Sequence, residues 1–193
     1  MHGYVQRIKE KELHNALSRS PAVAILGPRQ SGKSTTAKML LKDIPSVYLD
    51  LQDRVDRNKL SEPELFFDRY RDKVICLDEI QLLPEFFSIL RSEIDKDRKP
   101  GRFLILGSAS RDLIKQSTES LAGRIAYIDL TPFIVNEVAN ISIWSDIWLR
   151  GGFPESALAE NDMDSFDWRL DFIRTFMERD IPNLGFNIPV QII

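Results

Sequence analysis

An eight-residue segment near the amino terminus has the residue types and spacing of a phosphate cradle. It fits the pattern G-x-x-x-x-G-K-[ST] and consists of Gly27, Pro28, Arg29, Gln30, Ser31, Gly32, Lys33 and Ser34. An apolar run precedes it and a segment of helical period follows it, which is the context that such a loop requires. The pattern therefore predicts a site for a nucleoside triphosphate.

The residue types in this segment suit different parts of a bound polyphosphate. Gly27 and Gly32 let the backbone curl into a nest of N–H donors, and the following helix directs its positive end at the phosphates. Lys33 adds a positive charge for the β- and γ-phosphates, and the Ser34 hydroxyl can coordinate Mg²⁺. No Asn-Lys-x-Asp guanine signature occurs, so ATP and Mg²⁺ are the predicted cofactors.

Two neighbouring residues have alternative roles. Thr35 follows the motif directly and is included in the predicted nucleotide site, although it could instead cap the start of the helix. Arg29 could contact phosphate or simply be solvated. Both residues are therefore candidate nucleotide ligands with an ordinary structural alternative.

A second apolar run, residues 74–77, delivers two adjacent carboxylates, as in a Walker B motif. Asp78 is predicted to hold Mg²⁺ through its water shell, and Glu79 to activate the attacking water as a general base. The alternative is that both carboxylates are solvated or cap the next helix. Together with the phosphate loop, the pair predicts hydrolysis.

Two further candidates complete the predicted catalytic set. Ser108 follows an apolar strand and could contact the γ-phosphate or the water, or cap a helix together with Ser110. Arg124 is the first candidate for an arginine that stabilises the transferred phosphoryl group, acting from a neighbouring subunit. Arg150 and Arg179 are its alternatives.

These residues require a sheet to position them, and apolar runs alternate with segments of helical period. Strands are predicted at Ala22–Leu26, Ser46–Leu51, Lys73–Leu77, Arg102–Leu106 and Ile125–Leu130. Helices are predicted at Lys33–Lys42, Glu62–Tyr70, Pro84–Lys96, Asn136–Trp148 and Ser165–Asp180. Along the last helix, Phe166, Leu170, Ile173 and Met177 are expected to pack inward, with a partner surface as the alternative. The predicted fold is α/β: a three-layer sandwich with a five-stranded, mainly parallel sheet, followed by a small helical region.

Composition limits the location and the partners. The chain has 193 residues and a net charge of −3, without a basic stripe, so nucleic acid is an open partner that the charge does not support. The single cysteine, Cys76, excludes an intrachain disulfide and favours a reducing compartment. No signal peptide and no membrane-length apolar run are evident. A cytoplasmic protein is expected, with no membrane partner.

Six segments together resemble the AAA-type P-loop ATPases of bacteria and archaea that carry a C-terminal domain of unknown function. They are Gly27–Ser34, Leu77–Gln81, Gly107–Ser110, Ser120–Arg124, Gly151–Glu155 and Phe176–Pro182. The resemblance, which covers nearly the whole chain, implies an AAA+ core whose sensor strand lies between the P-loop strand and the Walker B strand. It also implies that this chain lacks the C-terminal domain. The expected division is a P-loop core at 1–131 and a helical lid with the start of a truncated domain at 132–193.

Three functions fit these residues. The leading hypothesis is Mg²⁺-dependent ATP hydrolysis coupled to a conformational switch of the C-terminal part. A nucleotide-gated binding module for a protein or DNA partner would bind ATP without turnover. A small-molecule kinase would need an arginine-rich lid, which the scattered arginines do not provide. An arginine acting between subunits would require a homo-oligomer, which is left open.

Overall fold

The computed structural model describes residues 3–108, 119–139, 141 and 144–181, apart from the side chains of residues 179 and 180. The described chain forms two compact units. The first is residues 6–131, and the second joins the amino-terminal residues up to Val5 with those from Pro132 onward.

A five-stranded parallel sheet forms the centre of the first unit. Its strands are β1 (Ala22–Gly27), β2 (Ser46–Asp50), β3 (Val74–Asp78), β4 (Phe103–Ser108) and β5 (Ile125–Asp129). The order across the sheet is β2-β3-β4-β1-β5, and every neighbouring pair is parallel. The predicted fold class is confirmed, as is the position of the sensor strand β4 between β1 and β3.

Helices surround the sheet in this unit. They are α1 (Glu10–Arg19), α2 (Lys33–Leu40), α3 (Arg54–Asn58), α4 (Pro63–Arg69) and α5 (Phe86–Lys96), with a 3₁₀ turn at Ile80–Leu82. The sequence analysis missed α1 and α3. Helix α1 has no side-chain cap at its start. It is stabilised by the burial of Leu13, Ala16 and Leu17.

The two faces of the sheet are covered by different helices because successive side chains of a strand point to opposite sides. Val23 and Ile25 of β1 pack in a cluster with apolar residues of α1 and α2. Ala22, Ala24 and Leu26 of the same strand pack in a second cluster with residues of α4 and α5. Burial on both faces explains why the strands are continuous apolar runs.

The described part of the second unit is helical. It contains α6 (Val135–Val138), α7 (Trp144–Arg150), α8 (Pro154–Ala157) and α9 (Asp162–Thr175), followed by a π-helical turn at Phe176–Asp180. The predicted single helix Asn136–Trp148 is wrong, because a turn at residue 139 ends the first of two helices. In the described residues, none of the helices has both the length and the apolar character needed to span a membrane.

The predicted inward face of the last helix is also wrong for three of its four residues, whereas Met177 is half-buried. Phe166, Leu170 and Ile173 are 49%, 51% and 56% exposed. The contacts of α9 are made instead by Trp168 and Phe172, whose rings stack 5.2 Å apart and lie next to Phe153. These two residues are four apart and share a face of the helix. The apolar pattern of the sequence did not distinguish this face from the adjacent one with Phe166, Leu170 and Ile173.

Candidate functional site

The predicted phosphate loop connects the end of β1 to the start of α2. Gly27 is required by close approach, because a Cβ atom there would lie 2.1 Å from the carbonyl oxygen of Leu130. Gly32 precedes α2 with a φ of 92°, a conformation that side chains disfavour. Between them, Gln30 has a φ of 60° although it is not a glycine. The two glycines of the motif therefore occupy positions where a side chain would clash or be strained.

Lys33 is folded against its own loop. Its side-chain Nζ donates to the carbonyl oxygens of Gly27 at 3.1 Å and Pro28 at 2.8 Å, and the residue is 6% exposed. Burial lowers the pKa of Lys33, while the nearby carboxylates of Glu79 and Asp78 act in the opposite direction. The ammonium group thus donates its hydrogen bonds to neutral carbonyl oxygens, which a phosphate could replace.

A residue that the sequence analysis missed holds this loop from outside. Arg7 is 3% exposed, and its guanidinium donates to the carbonyl oxygens of Ser31 at 2.9 Å and Thr131 at 2.6 Å. Ser31 belongs to the loop, and Thr131 is the last residue of the first unit. No sequence signal marks Arg7, because it is a single arginine in a polar segment.

The two predicted carboxylates lie at the same edge of the sheet as the loop. Leu77, Ile105 and Ala24 are paired side by side across β3, β4 and β1, so these parallel strands end at one edge. Asp78, the last residue of β3, is 5% exposed, and its Oδ1 accepts the backbone N–H of Glu79 at 3.0 Å. The structure therefore brings Asp78 and Glu79 to the side of the phosphate loop.

Glu79 has an unusual backbone and a partner for its carboxylate. Its φ of 59° places it in the left-handed region, which is costly for a residue with a side chain. Its Oε2 accepts a hydrogen bond from Nε2 of Gln81. Gln81 is a second residue that the sequence analysis did not assign, although it lies within the quoted segment Leu77–Gln81.

Ser108 ends β4 directly beside the loop, in register with Gly27. Its Oγ is buried and lacks a hydrogen-bond partner. The alternative capping role, with Ser110 and a helix near residue 111, falls outside the described residues. The position of Ser108 is compatible with a contact to a ligand on the loop.

Unsatisfied and strained groups coincide with this edge. Within the described part of the chain, the buried side-chain atoms without a partner are Ser31 Oγ, Gln81 Oε1 and Ser108 Oγ. Buried polar atoms are normally hydrogen-bonded, so each exception calls for an explanation. The two described non-glycine residues with positive φ, Gln30 and Glu79, lie at the same edge. The residues present fit a polar ligand at this edge.

Cation ligands are available from Ser34 and Asp78. Among the described residues, no group of three or more His, Cys, Asp and Glu side chains could hold a metal ion by itself. This agrees with Mg²⁺ chemistry, since Mg²⁺ is commonly bound by one or two protein oxygens together with substrate phosphates and waters.

Arg124 does not lie at the phosphate loop of its own chain, and its predicted action from a neighbouring subunit stays a prediction. Its carbonyl accepts the N–H of Ala22, so it lies at the amino-terminal edge of the sheet, about 16 Å from the loop at 3.3 Å per strand residue. Its guanidinium forms two hydrogen bonds of 2.8 Å with the carboxylate of Asp95. This ion pair gives Arg124 a structural role within its own chain.

Arg150 and Arg179 are the alternative candidates for the catalytic arginine. Arg150 belongs to the second unit, where it donates to the carboxylate of Asp162 at 2.8 Å and to the carbonyl of Ala159 at 2.7 Å. The side chain of Arg179 lies outside the described residues. The described hydrogen bonds of Arg150 are therefore made within its own unit.

A parallel sheet of this order, with a G-x-x-x-x-G-K-S loop after β1, defines the P-loop class of α/β proteins. A family model described as an AAA domain matches residues 19–139, and the chain belongs to this family. A second model, described as a domain of unknown function (DUF8612), matches residues 141–192. This match corrects the expectation that the chain lacks a domain of unknown function.

Two curated relatives are uncharacterized proteins of Mycobacterium bovis and Mycobacterium tuberculosis. Each is 42% identical over 177 residues, which is 92% of this chain and 40% of the relative. The chain therefore spans about two fifths of their length. Among solved structures, the Walker-type ATPase of Pyrococcus abyssi is similar with a TM-score of 0.63 and 17% identity, over 94% of this chain and 76% of that chain. This similarity supports the fold.

Proposed function

We propose that this chain binds ATP together with Mg²⁺ and hydrolyses it slowly. The observation that carries the proposal is the coincidence of the phosphate loop with three unpartnered buried polar atoms, on Ser31, Gln81 and Ser108. A nucleotide and its attacking water would supply hydrogen-bond partners that the described residues do not provide. The absence of a guanine signature favours adenine.

Each residue has a defined part in the proposed reaction. Lys33 exchanges the carbonyls of Gly27 and Pro28 for the β- and γ-phosphates. Ser34 and Asp78 would hold a Mg²⁺ ion, which would supply neutralisation of the charge that develops on the phosphate oxygens. These groups prepare the γ-phosphorus for attack.

Glu79 is the proposed general base. It takes a proton from water while the water oxygen bonds to the γ-phosphorus and the bond to the bridging oxygen of ADP breaks. Its carboxylate must first be released from Gln81, or shared with it. Ser108 would orient the water or a γ-phosphate oxygen with its unpartnered hydroxyl. The products are ADP and inorganic phosphate.

The proposed conformational switch starts at Arg7. This residue bonds to a carbonyl of the phosphate loop and to Thr131, after which the second unit begins. A change in the loop between the ATP and ADP states would therefore be passed to Thr131. In this proposal, residues from Pro132 onward respond to the nucleotide state.

A nucleotide-gated binding module is the second candidate. It is favoured by the hydrogen bond from Gln81, because this bond holds the Glu79 carboxylate and opposes its turning toward an attacking water. In that case, the wild-type chain binds ATP but does not turn it over, and Gln81→Ala gains turnover. If hydrolysis is the function, Gln81→Ala has no such gain.

The experiment is steady-state ATP hydrolysis with Mg²⁺, with ATP binding measured in parallel. Lys33→Ala should lose binding by about 100-fold, since it removes a buried charge that pairs with phosphate. The exposed Lys42, just after α2, provides Lys42→Ala as the matched control. Equal ATP affinity of both variants would contradict the proposed site.

A further inference from the structure

Tyr48 contacts Asp78, one of the two proposed cation ligands, although no sequence motif marks it. It lies in β2, beside β3, and is half-buried. Its hydroxyl donates a hydrogen bond to Oδ2 of Asp78. The other oxygen of this carboxylate, Oδ1, accepts the backbone N–H of Glu79 at 3.0 Å. Both oxygens of Asp78 are therefore oriented by the protein.

The ring of Tyr48 is fixed by the helix that carries Ser34. The ammonium group of Lys38 lies 4.8 Å from the centre of the ring, which is within the range of a cation–π interaction. Lys38 and Ser34 are four residues apart in α2 and share a face. The ring therefore spans the distance between α2 and the end of β3.

We propose that Tyr48 is a positioning residue for the cation site. Through its hydrogen bond to Oδ2, it sets the orientation of the Asp78 carboxylate before the cation arrives. The inference rests on the proposed function, because it concerns Mg²⁺ bound with ATP. Residues that orient metal ligands typically change metal affinity by about 10- to 100-fold when they are mutated.

The test is Tyr48→Phe, which removes one oxygen and keeps the ring. Mn²⁺, used in place of Mg²⁺, is titrated into the ATP complex and followed by electron paramagnetic resonance, and ATP binding is measured separately in EDTA. We expect Mn²⁺ affinity to fall by about 10- to 100-fold, with ATP affinity in EDTA unchanged. Tyr70→Phe is the matched control, because Tyr70 is also half-buried and lies beyond the end of α4.

Two results would overturn the inference alone. Unchanged Mn²⁺ affinity would show that Tyr48 does not position Asp78, and tighter binding would show that its hydroxyl competes with the cation. A wild-type chain that binds no ATP, with or without metal, would overturn the proposed function and this inference together. If the chain binds ATP without hydrolysing it, the test remains decisive, because it measures metal binding and not turnover.

A second measurement decides the matter if Tyr48→Phe does not fold. The wild-type chain is labelled with ¹³C at the Cζ of its tyrosines, and the Tyr48 resonance is followed as Mg²⁺ is added to the ATP complex. A shift specific to Tyr48 supports its contact with the cation ligand Asp78. An unchanged resonance during saturation with Mg²⁺ would overturn it.

Discussion

The two edges of the parallel sheet differ in whether their polar side chains have hydrogen-bond partners. At the amino-terminal edge, Arg102 is 6% exposed and its guanidinium donates to the carbonyls of Phe67, Tyr70 and Lys73 at 2.6–2.8 Å. Arg124 at the same edge is paired with Asp95. The carboxyl-terminal edge instead carries the unpartnered hydroxyls and the strained backbone.

This difference separates stability from function within one sheet. Arginines whose donors are used on the protein's own carbonyls and carboxylates stabilise the fold. Hydroxyl and amide groups that remain unsatisfied, next to residues with positive φ, cost stability and are kept where a ligand can satisfy them. Substitutions at the amino-terminal edge should therefore change the free energy of unfolding, and those at the carboxyl-terminal edge should change ATP binding or hydrolysis.

The largest effect is expected for Glu79→Gln at the carboxyl-terminal edge. Loss of the general base should lower kcat for ATP hydrolysis by about 10²- to 10⁴-fold, while ATP binding is retained because the side chain keeps its size. Single-turnover hydrolysis and ATP binding check this. Glu85→Gln, at an exposed residue close by, is the control. Wild-type turnover in Glu79→Gln would assign the base elsewhere.

The next effect is expected for Arg102→Ala at the opposite edge. Three carbonyls lose a buried donor, and the free energy of unfolding should fall by about 2–4 kcal/mol. ATP affinity of the folded protein should not change. Urea unfolding and ATP titration test the two parts, with Arg102→Lys as an intermediate variant because an ammonium lacks the planar fork. A selective loss of ATP affinity would break the comparison.

A smaller, pH-dependent effect is expected for Lys33→Met. Because burial lowers the pKa of Lys33 in the folded state, the unfolded chain binds more protons between that pKa and the ordinary lysine value of 10.5. The free energy of unfolding of the ligand-free protein should therefore rise with pH in this window, and Lys33→Met should lack that contribution. Urea unfolding over this window, beside Lys42→Met, measures the slope. Equal slopes in all three proteins would show that Lys33 is not desolvated.

The smallest effect is expected for Arg124→Ala. Because Arg124 lies at the edge away from the phosphate loop and is paired with Asp95, turnover by the chain should be unchanged. Asp95→Ala should behave alike, since it removes the same ion pair. A drop in kcat for Arg124→Ala alone, dependent on protein concentration, would instead indicate that Arg124 acts on a neighbouring copy.

Local sequence determined the strands and the phosphate loop of this protein. The strands are apolar runs because both faces of the sheet are covered, and that burial leaves a continuous pattern that can be read without a structure. The loop is equally local, since Gly27, Gly32 and Lys33 lie within seven consecutive residues whose spacing is fixed by the backbone. Asp78 and Glu79 were found because they end such a strand.

Only the tertiary structure decided which distant side chains support that site. Arg7 reaches the loop carbonyl of Ser31, and Tyr48 reaches Asp78, across 24 and 30 residues of sequence. Neither residue type is unusual for its segment, so no spacing rule marks it. The position of Arg124 also needed the tertiary structure: the sequence shows that it precedes a strand, and the parallel direction of β5 beside β1 places it at the edge away from the loop of its own chain.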